Sequence, residues 1–304
     1  MDRSADPCLP VSCLIELGFI PSTLGQGVFS LLPAGPFHSG FTWRWTCPTT
    51  GESRLLKARP DCDRNREHAL LAWQLAIHPL WRSRTWLPAI IHLEKPWVNW
   101  RGMIFQAWSW LCGTVPDALG FCLEHGMERL ECLSGIGKEI LGERDGLFPC
   151  VTSREQALLQ WLEMPRVFTD SLDTRCAKVL GDWVKPALDR LERLPRYGKL
   201  LPCHGDPWAG NWVRIQNESK RLEYGLIDWS TVRWDNPASD RARLIGSTGS
   251  PDLWMKLDDG DVDRLLAWTG HLAALCNWMV KRKGGPWAEG PRKRVEWLLF
   301  RMGE

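Results

Sequence analysis

The chain has 304 residues, of which 44% are hydrophobic and 24% are charged, and this composition excludes an intrinsically disordered protein. The formal net charge is only +2, from 38 basic and 36 acidic residues, so we expect neither nucleic acid nor an anionic membrane as a partner. Eleven dispersed cysteines without a C-x-x-C pair predict reduced thiols. The N-terminus has no signal-peptide pattern, and no apolar run is long enough to span a membrane. Together with the reduced thiols, these features predict a cytoplasmic protein.

The first hundred residues predict a sheet with one inserted helix. The segment NREHALLAWQLAI, residues 65–77, has helical spacing of its apolar positions. Apolar runs and alternating patterns bounded by turn residues predict strands over 28–33, 41–47, 54–58, 87–94 and 102–108.

After Trp110 the pattern becomes mainly helical. Long amphipathic segments predict helices over 126–141, 153–164, 173–194, 261–280 and 291–302. Pro186 is expected to kink or divide the helix over 173–194. A small mixed lobe should therefore precede a larger helical lobe, with the boundary near residues 106–112.

The stretch LPCHGDPWAGNWVRIQNESKRLEYGLIDW, residues 201–229, places polar groups at the ends of apolar strands. Two predicted strands joined by the polar turn NESK form a hairpin, which would bring Asp206, Asn211 and Asp228 to one edge. Carboxylate and amide oxygens suit Mg²⁺, and a carboxylate beside the metal could instead accept a proton from a hydroxyl. The alternative is ordinary turn and cap chemistry, but the joint pattern H-G-D-x-x-x-x-N followed by L-I-D favours a site.

These motifs resemble the aminoglycoside phosphotransferase and choline kinase family. HGDPWAGN matches the catalytic loop of that family, LIDW its metal-binding strand end, and WDNPASDRARL the segment that follows. The resemblance implies an α+β, two-lobed protein-kinase-like fold. Residues 1–107 would form a β-rich nucleotide-binding lobe with one inserted helix, and residues 108–304 a mainly helical catalytic and substrate-binding lobe. It also implies transfer of the γ-phosphoryl group of ATP or GTP, with Mg²⁺, to a hydroxyl of a small molecule.

The resemblance also assigns roles to five residues of the stretch and the segment after it. Asp206 would be the base or orienter for the substrate hydroxyl. Asn211 and Asp228 would hold Mg²⁺ against the phosphates of the nucleotide. His204 would organise the loop, and Asp240 would be a structural anchor.

The small lobe should supply a lysine to the phosphates. Lys57 lies within an apolar strand, where a charge needs a reason, and Glu67 in the following helix would be its partner. The alternatives are that Lys57 extends from an edge strand to solvent and that Glu67 only favours the helix N-terminus. The turn AGPFHSGF predicts phosphate contacts from backbone N–H groups near Ser39, or else a plain hairpin.

From the architecture of the family, adenine would pair with the backbone between Gln106 and Trp108. Substrate choice is less determined. Twenty tryptophans against two tyrosines indicate either core packing or aromatic walls around the substrate. Trp208, Trp229 and Trp234 are the candidate walls, and they favour an amine-bearing or aromatic acceptor.

Two other functions remain open at this point. The first is a catalytically inactive relative that binds a nucleotide or ligand and regulates another process. The second is a metal-dependent phosphoesterase, which would need clustered ligands, whereas the seven histidines here are widely spread.

Overall fold

The computed structural model describes residues 14–15, 27–32, 40–91, 93–114, 116, 125–147, 162, 174–193, 195, 197–216, 222–248, 264, 293 and 296. The chain forms two units, one of residues 1–114 with 213–233 and the other of residues 115–212 with 234–304. The first unit thus includes a segment from late in the chain, residues 213–233. The lobe boundary near residues 106–112, placed at 107, stays a prediction.

The first unit is built on a five-stranded antiparallel sheet with strand order β1-β2-β3-β5-β4. Its strands are β1 (Val28–Leu31), β2 (Phe41–Thr46), β3 (Ser53–Pro60), β4 (Val98–Trp100) and β5 (Met103–Ser109). Helix α1 (Asp63–Ala76) and the short helix α2 (Pro79–Arg82) lie between β3 and β4 in the chain. A two-stranded hairpin, β8 (Trp212–Gln216) and β9 (Leu222–Leu226), completes the unit.

Along the strands, alternate side chains point to one face of this sheet, and a hydrophobic core covers that face. Trp43, Trp45, Leu56 and Phe105 are almost fully buried in one hydrophobic cluster, because every second residue of a strand faces the same side. Burial of each such side chain contributes about 1.5–3 kcal/mol. Two tryptophans of the unusual composition are therefore core residues.

The expected strand over 87–94 was largely wrong. In its described part, the segment makes one bridge, Ile90 to Trp108, and the edge strand of the sheet is β4. Two backbone hydrogen bonds accompany the bridge, from Ile91 to Ala107 and from Ser109 to Ala89. Two short segments, β4 and the residues around Ile90, thus pair with different parts of β5. An apolar run in the sequence suggested one continuous strand instead.

The second unit combines a three-stranded sheet with helices. Strands β6 (Arg144–Leu147), β7 (Tyr197–Cys203) and β10 (Arg233–Asp235) form the sheet in the order β10-β7-β6. Helices α3 (Met127–Leu141) and α5 (Pro237–Thr248) pack on β7 and on each other. Strands β6 and β10 were not predicted, since each is short and lacks a clear alternating pattern.

Helix α4 (Thr174–Arg193) runs through Pro186 as one element, so the expected division does not occur. Apart from single positions, the predicted helices over 153–164, 261–280 and 291–302 lie outside the described residues. Over the part of the chain that is described, no helix combines the length and the apolar character that crossing a bilayer demands.

Candidate active site

In the first unit, Lys57 forms an ion pair with Asp228, a residue 171 positions away in the sequence. Lys57 lies in the middle of β3, where Thr42 of β2 and Gln106 of β5 are its neighbours in the sheet. Asp228 follows the end of β9. The structure therefore joins the expected phosphate-binding lysine to the expected metal-binding carboxylate.

The backbone at Asp228 adopts a left-handed conformation, with φ 65° and ψ 60°. A residue with a side chain keeps this conformation only where its surroundings hold it. Here the Ser230 hydroxyl donates to the same carboxylate oxygen, Oδ1, that receives the Lys57 ammonium. Trp229 is buried, donates from Nε1 to the carbonyl of Leu226, and packs edge-on against Trp81 at 4.5 Å between ring centroids.

The expected pairing of Lys57 with Glu67 is not observed, and this expectation is corrected. Glu67 is exposed on α1, and across the described residues it takes part in no ion pair. The physical reason is helix periodicity. The buried face of α1 is centred near His68, Ala72 and Leu75, so position 67 lies beyond the edge of that face and is exposed.

Gln106 also has a different surrounding from the one expected for an adenine contact. Its side-chain nitrogen donates to the carbonyls of Ala69 and Pro96, each at 3.0 Å, and the residue is buried. Trp108 pairs with Leu55 on one side and bridges to Ile90 on the other. The backbone on which the adenine expectation depends is thus already used within the sheet. Ser39 lies outside the described residues.

In the second unit, Asp240 anchors the H-G-D loop from the first turn of α5. Its carboxylate accepts hydrogen bonds from the backbone N–H groups of His204, at 2.7 Å, and Gly205, at 2.9 Å. Gly205 has φ 82°, a conformation that favours glycine. The sequence NPASD explains the start of this helix: Asn236 caps it by accepting from Ala238, and proline stands at its first position.

His204 is fully buried, and its Nδ1 accepts a hydrogen bond from the backbone N–H of Asp206 at 3.2 Å. A ring nitrogen that accepts in this way carries no proton, so this nitrogen is committed to holding the loop. The organising role of His204 in the loop stays a prediction, and this hydrogen bond is the contact through which it would act.

Asn211 closes the loop from the other side. Its side-chain nitrogen donates to the carbonyl of Asp206 at 2.8 Å, which leaves the amide oxygen as the atom available to a ligand. An amide oxygen and the carboxylate of Asp228 are hard oxygen donors of the kind that Mg²⁺ prefers. The donor chemistry of both predicted metal ligands thus fits Mg²⁺, each within its own unit.

Arg243 is a residue near the predicted base that the sequence reasoning missed. Its Nε lies 2.6 Å from Oδ1 of Asp206, and both atoms are shielded from solvent. Arg243 lies three positions after Asp240 on α5, so the two side chains share one face of the helix. That spacing was the available signal.

The tryptophans near the motif have different surroundings. Trp212 is fully buried and donates to the carbonyl of Pro207 at 3.1 Å, while Trp234 is largely buried beneath the guanidinium of Arg144, 3.5 Å from its ring centre. Trp208 alone among the candidate walls counts as exposed, at 37%. Its ring lies so close over Gly210 that a side chain at that position would collide with it.

Comparison with known proteins agrees with the motifs. The model of the phosphotransferase enzyme family matches residues 145–275, a segment that contains the H-G-D loop, Asp228 and Asp240. The family resemblance expected from the sequence is confirmed. Among curated protein sequences, none matches the chain.

Solved structures of the same fold include both branches of this family. An aminoglycoside phosphotransferase from Alicyclobacillus acidocaldarius has a TM-score of 0.60 at 15% identity, over 99% of this chain and 96% of the other. The GDP complex of aminoglycoside 2'-phosphotransferase-IIIa has a TM-score of 0.55 at 15% identity, covering 94% and 96%. Choline kinase from Cryptosporidium parvum has a TM-score of 0.52 at 12% identity, covering 95% and 94%. The predicted α+β, protein-kinase-like fold is confirmed.

Proposed function

We propose that the chain is a phosphotransferase that moves the γ-phosphoryl group of ATP or GTP to a hydroxyl of a small molecule. The observation that carries this proposal is the ion pair between Lys57 and Asp228. Phosphoryl transfer needs cations at the phosphates and a carboxylate that holds the metal, and little covalent work by the protein. A lysine inside a strand that meets a carboxylate after a distant strand provides both groups.

Asp206 is proposed as the group that accepts or orients the proton of the acceptor hydroxyl. A base must be ionised, and the adjacent guanidinium of Arg243 favours the ionised carboxylate. The loop that carries Asp206 is held through His204 and Asp240, so the carboxylate is positioned before substrate arrives.

Asn211 and Asp228 are proposed to hold Mg²⁺, as the donor chemistry of their oxygens allows. The ion would neutralise negative charge on the phosphates. Lys57 would then contact the phosphates, and Ser230 would keep the Asp228 carboxylate oriented.

We move the proposed adenine contact from Gln106 and Trp108 to the residues after them. Backbone groups of Ala107 and Ser109 bond to the segment 89–91, while residues 110–112 follow the end of β5 outside any strand. An aromatic base would pair there with backbone groups that the sheet does not use. Neighbouring structures with bound GDP and with bound ADP support a nucleotide of either purine type.

A second candidate function is favoured by one specific observation. Asp206 and Asp228 are each paired with a cation of this chain, Arg243 and Lys57. A catalytically inactive relative that binds nucleotide or ligand would tolerate such pairing permanently. Binding of Mg-nucleotide without transfer to any acceptor would identify this case.

The acceptor is proposed to be an amine-bearing or aromatic small molecule, with Trp208 as the one exposed aromatic wall. Neither nucleic acid nor membrane is proposed as a partner. A cytoplasmic location is proposed as well, supported by free thiols at Cys47, Cys62, Cys112 and Cys132.

A screen of nucleotide consumption tests the proposal. The full chain is incubated with Mg-ATP or Mg-GTP and a panel of amino alcohols, vitamins, sugars and aminoglycosides, and diphosphate release is followed. We expect release that depends on one acceptor class and is absent from Asp206→Asn. Acceptor-independent hydrolysis of phosphate esters without nucleotide would instead favour a phosphoesterase.

A further inference from the structure

A second cation of β3, Arg59, reaches the segment that carries Asp228. Arg59 stands two positions after Lys57, so the two side chains leave the same face of the strand. Its Nη1 donates to the carbonyl of Ser230, and its Nη2 lies 3.4 Å from the Gln106 side-chain oxygen. Gln106 is fixed in turn by two backbone carbonyls, as described above. The guanidinium is thus held between β5 and the turn after Asp228.

His68 approaches the same turn from the inward face of α1. Burial, together with the nearby charges of Arg59, Arg64 and Arg233, lowers its pKa to about 4, while a hydrogen bond to the Ser230 backbone opposes the shift. The imidazole is therefore neutral near pH 7. A neutral donor at this position binds the Ser230 backbone without adding positive charge to a group of arginines.

Ser230 connects these contacts to the carboxylate. Its backbone is bound by Arg59 and His68, and its hydroxyl donates to Oδ1 of Asp228. Asp228 is the residue with the left-handed backbone, whose conformation depends on its surroundings. Arg59 and His68 thus contact the backbone of the residue whose hydroxyl binds the Asp228 carboxylate.

We infer that Arg59, His68 and Ser230 act together as positioning residues that hold the Asp228 carboxylate in place for a Mg-nucleotide. The inference rests on the proposed function and extends it. The contact between helix α1 and this segment is made by His68, whereas the sequence predicted that Glu67 of the same helix pairs with Lys57. We call the three residues the Ser230 clamp.

The energetics favour this role over simple packing. Removing a guanidinium from water is unfavourable, and an apolar side chain of similar size would fill the same space at lower cost. Burial lowers the pKa of Arg59 to about 10, and the negative charge of Asp228 opposes that shift. The half-buried arginine is therefore compensated by the carboxylate whose position it fixes.

Binding of ADP with Mg²⁺ and with EDTA tests the inference. We expect Mg²⁺ to strengthen ADP binding to the wild-type chain, and Arg59→Met and Ser230→Ala to reduce this gain by about tenfold. The affinity for ADP in EDTA should stay near the wild-type value. Ser230→Thr, which keeps the hydroxyl, should retain the gain.

The matched control is Arg54→Met. Arg54 lies on the same strand but on the other face, paired with Glu52 at 2.9 Å, and should behave as wild type. A wild-type Mg²⁺ gain in both Arg59→Met and Ser230→Ala would overturn the inference. If Arg59→Met does not fold, as judged by its unfolding transition, Ser230→Ala decides alone.

Failure of the proposed function has a different signature. A wild-type chain that binds neither ADP nor GDP in the presence of Mg²⁺ would contradict the phosphotransferase assignment, and the inference would fall with it. A wild-type chain that shows the Mg²⁺ gain, with variants that keep it, contradicts the Ser230 clamp only.

Discussion

The two predicted carboxylates are held by different kinds of contact. Asp228 is surrounded by charge, since Lys57 pairs with it and Arg59 is held at the turn that follows it. Asp206 belongs to a loop whose backbone is fixed by hydrogen bonds to the buried carboxylate of Asp240. Asp206 also has a cation partner, Arg243, but its loop is held in addition by backbone hydrogen bonds. The contacts of Asp228 come from side chains that a nucleotide would compete for.

This difference separates the expected consequences of substitution. Changes around Asp228 should act first on the affinity for Mg-nucleotide, because phosphates and metal interact with those same cations and oxygens. Changes in the Asp206 loop should act on turnover or on folding. The variants that follow test whether nucleotide affinity and turnover change independently.

Asp206→Asn should lower kcat by about 10²–10⁴-fold, because the amide cannot accept the proton of the hydroxyl. The dissociation constant for Mg-ADP should change little, since the proposed nucleotide contacts lie elsewhere. Steady-state kinetics and calorimetric binding measure the two quantities. Asp145→Asn, an exposed carboxylate paired with Lys199, is the control, and near-normal turnover of Asp206→Asn would refute the assigned role.

Lys57→Met should weaken nucleotide binding by about 10- to 100-fold, the value of a charge-assisted hydrogen bond to phosphate. Titration with ADP in Mg²⁺ measures the loss. Arg44→Met, on the adjacent strand and over the ring of Trp110, should not reproduce it. Equal losses in both variants would indicate a general effect on the sheet.

Asp240→Asn should destabilise the protein by about 1–3 kcal/mol, because an amide has one oxygen for the two backbone N–H groups that the carboxylate now binds. Urea unfolding measures the free energy. We expect kcat to fall as well, since the loop loses its anchor. Unchanged stability together with reduced kcat would show that Asp240 acts at the site and not through the loop.

The stability of the first unit should depend on pH through His68. Its pKa is about 4 when folded, below the ordinary value of 6.5, so the unfolded chain binds a proton that the folded chain does not. The free energy of unfolding should therefore decrease as pH falls from 6.5 towards 4, by at most about 3 kcal/mol.

The measurement for His68 is a difference between variants. Urea unfolding of wild type and His68→Gln across this pH range removes the contribution of other groups, and the difference should shrink towards acid pH. A constant difference would mean that His68 titrates normally in the folded protein.

Trp208→Ala should have the smallest effect, an increase in the KM of the acceptor of a fewfold to about tenfold with little change in kcat. The ring is exposed, and its proposed role is only to contact one face of the acceptor. Steady-state kinetics with the acceptor found in the screen measures both constants. An unchanged KM would remove the aromatic-wall proposal.

Much of this account was predictable from the sequence. Strands β2, β3 and β5 follow from alternation, and the helix after β3 from its periodicity, because these signals lie within a few neighbouring residues. The H-G-D loop and the strand end at Asp228 were recognisable because several chemically demanding residues stand at fixed spacings.

The remaining features depend on contacts between distant residues. Glu67 and His68 are adjacent, and only the observed phase of α1 decides which of them faces the sheet. In the sequence, Arg59 is only a second cation of a predicted strand, and its contact with Ser230 forms only in the folded chain. Gln106 was expected near adenine, but its side-chain amide is buried and donates to the carbonyl of Ala69 in α1. Local patterns do not contain this information.

The most direct test of the central claim is the fate of the γ-phosphoryl group. Phosphorus NMR and mass spectrometry follow Mg-ATP or Mg-GTP with the acceptor found by the screen. The account predicts one phosphomonoester on an acceptor hydroxyl for each nucleotide consumed, and none with Asp206→Asn. Release of inorganic phosphate alone, or binding of the nucleotide without any consumption across the whole panel, would contradict it.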